Sequence, residues 1–297
     1  MKNRLKESNG DFVVDIINIF LLSFILIIVL YPLIFVISAS LSDPMEVLKG
    51  NVWLLPKSIN LDSYMRVFKN ADILIGYKNT ILYTVIGTII NLGMTIAAAY
   101  PLSRKKFYAR NVLMAFFTFT MFFSGGIIPT YLVVKQLGLV NNFWVMILPG
   151  SVQVWNLILM KTFFQNSIPE ELHEAAYVDG GTNMGVLFYI VLPLSAPIIA
   201  VMVLFYGVGH WNAFFNALIY LSDRSKYPLQ LILREILIES QMDSMMSSTS
   251  DTIADQRLYA ESIKYAVIIV ASLPVLMLYP AIQKYFVKGV MVGAIKG

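Results

Sequence analysis

Polar and apolar residues along this chain segregate into long blocks. Six apolar stretches, roughly Ile16–Leu41, Asn79–Ser103, Val112–Val134, Phe143–Met160, Ile190–Tyr220 and Tyr265–Gln283, contain no Asp, Glu, Lys or Arg. A helix crosses a bilayer core with about 20 mostly apolar residues. The pattern therefore predicts an all-α membrane protein with about six transmembrane helices. One such stretch alone also suits a buried helix of a soluble domain, but six together do not. The first is too long for the roughly 7–15 apolar residues of a cleavable signal, although Ser38-Ala39-Ser40 superficially looks like a cleavage site.

The polar blocks divide the chain into a short N-terminal segment, residues 1–15, and one six-helix domain, residues 16–297. Short loops set orientation. Lys2, Arg4 and Lys6 precede the first stretch, Arg104, Lys105, Lys106 and Arg110 crowd the link between the second and third, and Lys284, Lys288 and Lys296 close the tail at 284–297. The raw count of basic residues is equal on the two sides, but the opposite loops are longer and mix theirs with acids. The dense short link decides for cytoplasmic termini. Ser42 to Lys78 reads as a folded external loop with turn signals at Pro44, Pro56 and Asn60. Ser124-Gly125-Gly126 and Pro129 break the third stretch, and a short surface helix is expected from Thr130 to Leu137, before Gly138 and Asn141-Asn142. In the long external loop, 222–264, Pro228 to Leu237 is helix-compatible. Met242 to Asp255 reads as an irregular tip, a partner contact or a plain connector with equal weight.

Composition narrows the chemistry. Hydrophobic residues make up 58% and charged ones 13%, against about 45–50% and 25% in soluble domains. The absence of cysteine excludes disulfides and thiolate ligands. A net charge of +4 without a basic patch interleaved with aromatics gives no nucleic-acid partner. His173 and His210 are too few and too far apart in sequence for a metal site, so no catalytic or metal residues are expected. Ion-coupled carriers keep ionisable residues at depth, and here only His210 is available. No Gly-Lys dipeptide occurs, so the chain has no P-loop for ATP. An energy source must sit on another polypeptide.

Residues 161–193, between the fourth and fifth stretches, suit the attachment point. Ser167-Ile168-Pro169-Glu170 has the form of a capping box with Ser167 as N-cap. A helix follows through Val178, Asp179-Gly180-Gly181 supplies a left-handed C-cap, and Thr182 caps a second short helix reaching Leu192-Pro193. Glu170, Glu171 and Glu174 complement the helix dipole and stand where a partner's basic groups could meet them. Ala175 and Ala176 lie side by side where another backbone could approach.

Glu174-Ala175-Ala176, three residues, Gly180, nine residues and Ile190-Val191-Leu192-Pro193 resemble the EAA loop of ABC-importer permeases. Gly181 departs from the alanine that relatives often carry. Gly207-Val208-Gly209-His210-Trp211-Asn212-Ala213-Phe214-Phe215-Asn216-Ala217-Leu218 is similar to the fifth span of carbohydrate-importer permeases, in particular the branch moving polysaccharide-derived oligosaccharides. The tail from Val287 to Gly297 resembles that of the second permease of maltose-type transporters, and Phe122-Phe123-Ser124-Gly125-Gly126 extends the likeness over nearly the whole chain.

The resemblance implies a type I importer permease fold in a bacterial plasma membrane and a non-catalytic subunit. ATP and Mg would be held by two partner ATPases and no cofactor by this chain. It implies a second, non-identical permease and an extracytoplasmic solute-binding protein. Glu170, Glu171, Glu174, Ala175, Ala176, Asp179 and Gly180 would then couple to the ATPase, and Lys288, Gly293, Lys296 and Gly297 would contact it through the tail.

Uncharged polar residues inside the stretches are the candidates for a solute path. Gln153 and Asn156 follow Pro149-Gly150, and Tyr206, His210, Trp211, Asn212 and Asn216 mark the fifth stretch. Thr80, Thr84, Thr88, Asn91 and Thr95 form one stripe of the second helix, for which interhelical packing is the favoured reading. For His210, Trp211 and Asn212, path and packing stay open. The competing functions are an ABC permease for a non-sugar solute, a channel without an ATPase, and a membrane-embedded enzyme, which would need clustered acids or histidines that the stretches lack.

Overall fold

The computed structural model describes residues 9–245, 263–277 and 280, and all regular structure among them is helical. The helices are α1 (Asn9–Ser40), α2 (Pro44–Leu48), α3 (Asp62–Lys69), α4 (Ala71–Ser103), α5 (Arg110–Phe122), α6 (Ile127–Gln136), α7 (Val154–Ser167), α8 (Glu170–Val178), α9 (Asn183–Val186), α10 (Leu192–Leu194), α11 (Ala196–Trp211), α12 (Phe215–Tyr220) and α13 (Leu229–Met245). A last one, α14 (Ile263–Met277), follows. Among the described residues, two unbroken helices are long and apolar enough to cross a membrane, and up to four spans result if each bent pair counts as one. α14 is a shorter apolar helix overlapping the sixth stretch, and α7 begins inside the fourth.

The chain forms two compact units, one from Met1–Asn70 and Glu235–Ala271, the other from Ala71–Arg234 and Ser272–Gly297. In the first, α1 exposes apolar side chains along its length, as a helix solvated by lipid does. The segment between α1 and α4 is folded, as its turn signals predict. Ser42 Oγ donates to Ser38 O at 2.6 Å and accepts from Lys57 N at 3.0 Å. Asp43 caps α2 through Met45 N with Pro44 in the first turn, and Asn60 Oδ1 accepts from Asp62 N at 2.7 Å.

In the second unit α11 and α7 both pack along α4. The core joins Ala99 and Leu102 of α4 to Leu157 and Met160 of α7 and Met202 and Tyr206 of α11. Prolines and glycines cut the predicted stretches where backbone bonding fails. Between α5 and α6 the chain turns by 116°. Gly126 at φ 84° makes that turn, and Pro129 falls in the first turn of α6, where its missing N–H costs no helix bond. The surface helix therefore starts three residues before Thr130. The fourth stretch, expected from Phe143 to Met160, is a 3₁₀ turn at Phe143–Met146, then a reversal at Gly150 (φ 76°), then α7 to Ser167. The fifth is bent by 82° between Leu194 and Ala196, beside Pro193 and Pro197, and broken again after Trp211. The helix expected from Pro228 to Leu237 continues as α13 to Met245, so the first four residues of the expected irregular tip are helical. The rest of that tip and the tail residues Lys288, Gly293, Lys296 and Gly297 lie outside the described residues.

Asn141 (φ 57°) is a hub that its sequence context did not announce. Its N–H donates to Tyr220 O at 2.8 Å, its Oδ1 accepts from Ser222 N and Asp223 N, and its carbonyl accepts from Lys226 Nζ at 2.9 Å. The first half of α4 holds the same segment through Asn79 Nδ2 to Ser225 O, Tyr83 OH to Lys226 O, and Thr80 Oγ1, which accepts from Leu229 N at 2.8 Å.

Candidate functional site

The elbow begins differently from the capping box its sequence suggests. Ser167 is the last residue of α7 and Ile168 is buried. Pro169 (φ −59°, ψ 142°) stands at the N-cap of α8 without a side-chain cap. Glu170 reaches sideways instead, its Oε1 accepting from Arg104 Nη2 at 2.6 Å, with 14% of the Arg104 and 32% of the Glu170 side chain exposed. A fixed charge pair at the foot of α4 offered more than a backbone N–H one turn away. Glu170 thus faces this chain's own arginine, while Glu171 and Glu174 face outward. The alanines also separate. Ala175 is exposed, and Ala176 packs against the core.

The turn after α8 closes as a Schellman motif. Gly181 N–H donates to Ala176 O at 2.8 Å and Gly180 N–H to Tyr177 O at 3.1 Å, with Gly180 at φ 80°. A Cβ on Gly181 would stand 2.6 Å from the Ala176 carbonyl oxygen, so the departure from alanine suits this tight closure. Thr182 Oγ1 then caps α9 by accepting from Gly185 N at 3.1 Å, and Tyr177 OH donates to Asn183 Oδ1 at 2.6 Å. Beyond this turn a π-helical segment, Leu187–Val191, leads into α10. Outward, the elbow shows Glu171, Glu174 and Asp179 among exposed Leu172, Val178 and Met184.

His173 is 2% exposed. Its ring lies 6.3 Å from that of Tyr100, and Nδ1 has no hydrogen-bond partner. Burial pushes its pKa below the ordinary 6.5, the Arg104 charge adds to this, and Glu170 opposes it. The unfolded chain therefore binds a proton more readily than the folded one. The stability from neutral His173 is complete above pH 6.5 and is lost as pH falls through that value toward the depressed one. Melting of the chain followed across this window should show an acid-labile component that His173→Phe removes.

A second cluster forms where α4, α7 and α11 meet. A cavity of about 130 Å³ is lined by Gln153, Tyr206, His210 and Asn216, together with Asn91. Gln153 N–H donates to Tyr206 OH (3.4 Å), Tyr206 to Thr95 Oγ1 (2.6 Å) and Thr95 to Asn91 O (2.7 Å), a chain in which each bond polarises the next. Asn91 Nδ2 faces His210 Nε2 at 3.0 Å. The other candidates do not line this cavity. Asn156 is buried and donates to Gln153 Oε1 at 3.2 Å. Trp211 is buried edge-on to Tyr77. Asn212 is exposed and accepts from Gln230 Nε2 at 3.3 Å. Asn91, a member of the threonine stripe, also lines this cavity. Thr80 and Thr95 do pack by hydrogen bonds, whereas Thr84 and Thr88 leave buried hydroxyls unpartnered.

Gly87 lets α4 close on His210. A Cβ there would meet the ring, with Cε1 at 2.6 Å. Gly87→Leu is expected to force the two helices apart, costing about 1–3 kcal/mol. Melting of the variant beside the wild type checks this.

Among the described residues no group of three or more His, Cys, Asp or Glu could hold a metal ion. A family model described as binding-protein-dependent transport system inner membrane component matches residues 73–292. The chain is 44% identical to the polygalacturonan/rhamnogalacturonan transport system permease protein YtcP of Bacillus subtilis over the full length of both. It is 41% identical to protein LplC of the same organism, covering 96% of this chain and 95% of that one. A solved chain from a bacterial ABC transporter involved in the import of the acidic polysaccharide alginate superposes with a TM-score of 0.85 at 32% identity, over 95% of this chain and 99% of that one.

Proposed function

The chain belongs to the binding-protein-dependent transport system inner membrane components, and from that premise we propose that it is the membrane permease subunit of an ABC importer for oligosaccharides derived from a polysaccharide. The observation that carries the coupling mechanism is the elbow. Its first helix is clamped inward by Glu170 and ended by a Schellman turn, and it presents Glu171, Glu174, Ala175 and Val178 outward. These side chains dock on a cytoplasmic ATPase, which holds the ATP and Mg. A second, non-identical permease completes the path, and an extracytoplasmic solute-binding protein delivers the cargo. ATPase closure pushes on α8, and the helices rock between inward- and outward-facing states. The termini lie on the cytoplasmic side, where the tail adds to the ATPase contact.

The substrate class follows from the relatives and agrees with the cavity chemistry. YtcP is named for polygalacturonan and rhamnogalacturonan, and the superposing structure for alginate. Amides, a phenol and an imidazole line the cavity of this chain, groups that hydrogen-bond sugar hydroxyls and uronate oxygens without introducing a fixed charge.

ATPase activity of the complex purified in lipid, with binding protein loaded from a panel of neutral and acidic oligosaccharides, tests the reading. Stimulation by an oligosaccharide supports it, and the preferred member identifies the glycan class. A chain that co-purifies with no ATPase overturns it in favour of a channel, and stimulation by peptides or amino acids alone overturns the carbohydrate assignment.

A further inference from the structure

A groove of about 740 Å³ runs between α4 and the elbow, outside both the polar cavity and the outward face of α8. Its volume lies in the range of about 300–1,000 Å³ typical of ligand sites. One wall follows α4 from Gly93 to Arg104, about 17 Å of helix axis. That is close to the ~15 Å of hydrocarbon in one leaflet. Ile96, Ala97, Leu187 and Leu192 make the groove apolar along this length, while Arg104 and Lys106 stand at one end. Arg104, Lys105, Lys106 and Arg110 place four cations in seven positions with no acid between them. An apolar trough one leaflet deep with a basic mouth matches a molecule with an anionic head and a hydrocarbon tail.

We infer that the groove holds one anionic phospholipid of the cytoplasmic leaflet, its phosphate at Lys106 and one acyl chain lying along α4 toward Gly93. The inference rests on the cytoplasmic placement of the elbow proposed above. Because α4 forms one wall and the elbow the other, the bound lipid sets how far the elbow can close on α4. It is therefore a condition of coupling as well as a boundary contact. Arg104 stays committed to Glu170, so Lys106 supplies the free charge at the mouth.

The test uses the full complex in nanodiscs of phosphatidylcholine with and without phosphatidylglycerol, read by native mass spectrometry for retained lipid and by substrate-stimulated ATPase. Phosphatidylglycerol is expected to remain on the wild-type chain and to raise the stimulation. Lys106→Gln should retain about fivefold less, the factor of one phosphate-facing cation. A Cβ at Gly93 meets nothing within 4 Å, so Gly93→Leu enters open space and should abolish retention without lowering the melting temperature. Equal retention by wild type and both variants overturns the inference. So does disulfide trapping of Gly93→Cys, clean in a chain without native cysteine, to a cysteine placed on another subunit, because the groove is then a subunit contact. Full coupling in phosphatidylcholine alone removes this inference and leaves the permease function standing. If no ATPase partner exists, lipid retention by the chain alone still decides the groove.

Discussion

Glu174→Lys is expected to abolish substrate-stimulated transport while leaving the chain folded. Glu174 is exposed on α8, so its replacement should change the stability of the chain by no more than about 0.5 kcal/mol. It stands beside exposed Ala175 and Val178, on the face proposed above to dock the ATPase. Losing one partner of a desolvated interface charge pair costs about 2–5 kcal/mol, and reversal adds repulsion. Binding of the ATPase to the elbow should weaken at least ~30-fold, with uptake falling in step. Uptake into proteoliposomes, ATPase activity and melting of one preparation separate the outcomes. Wild-type transport by the variant would remove the coupling role from this helix.

Arg104→Ala should damage coupling just as deeply without touching the outward face. It leaves Glu170 two-thirds buried and without its cation. A group stranded in this way costs about 1–3 kcal/mol, and the expected response is release of α8 from the foot of α4. ATP hydrolysis should persist but lose its dependence on loaded binding protein, since the pushed helix no longer moves α4. The exchange Arg104→Glu with Glu170→Arg should recover most of the dependence, because the pair is intramolecular. If Glu170 instead met the ATPase directly, as the sequence suggested, Glu170→Gln would weaken assembly of the complex and Arg104→Ala would not.

Both predictions turn on residues whose identity was plain in the sequence and whose partners were not. Glu170, Glu171 and Glu174 read as three equivalent acids at the start of a helix. The fold divides them, because Arg104 lies 66 positions earlier and reaches only Glu170. The expected capping box failed for a related reason. A local hydrogen bond worth about 1 kcal/mol competes with tertiary contacts that no spacing reveals, and here Ile168 is buried, Ser167 continues α7 and Pro169 opens α8. The Gly180–Gly181 turn and the Thr182 cap formed as read, since their bonds span only a few residues and need only the right φ.

The threonine stripe shows the same division within one helix. Its period of three and four placed Thr80, Thr84, Thr88, Asn91 and Thr95 on one face, and that face does meet the rest of the unit. Periodicity could not say which neighbour each member meets. Thr80 holds the backbone of Leu229, Thr95 holds Tyr206, and Asn91 turns to His210 in the cavity. Trp211 is buried beside Tyr77 and Asn212 lies at the surface, although both adjoin His210, because successive residues of a helix are about 100° apart.

The sequence by itself determined the apolar stretches, their breaks at proline and glycine, the helix–turn–helix elbow and the absence of Asp, Glu, Lys and Arg from the stretches. Each is a property of local composition or of backbone geometry within a few residues. Only the tertiary structure decided that Glu170 belongs to Arg104, that Ala176 turns inward, that Asn91 shares a cavity with His210, and that a basic-mouthed groove opens between α4 and the elbow. Those contacts join residues far apart in the chain, and which distant groups meet depends on how whole helices pack, a relation that period and spacing do not carry.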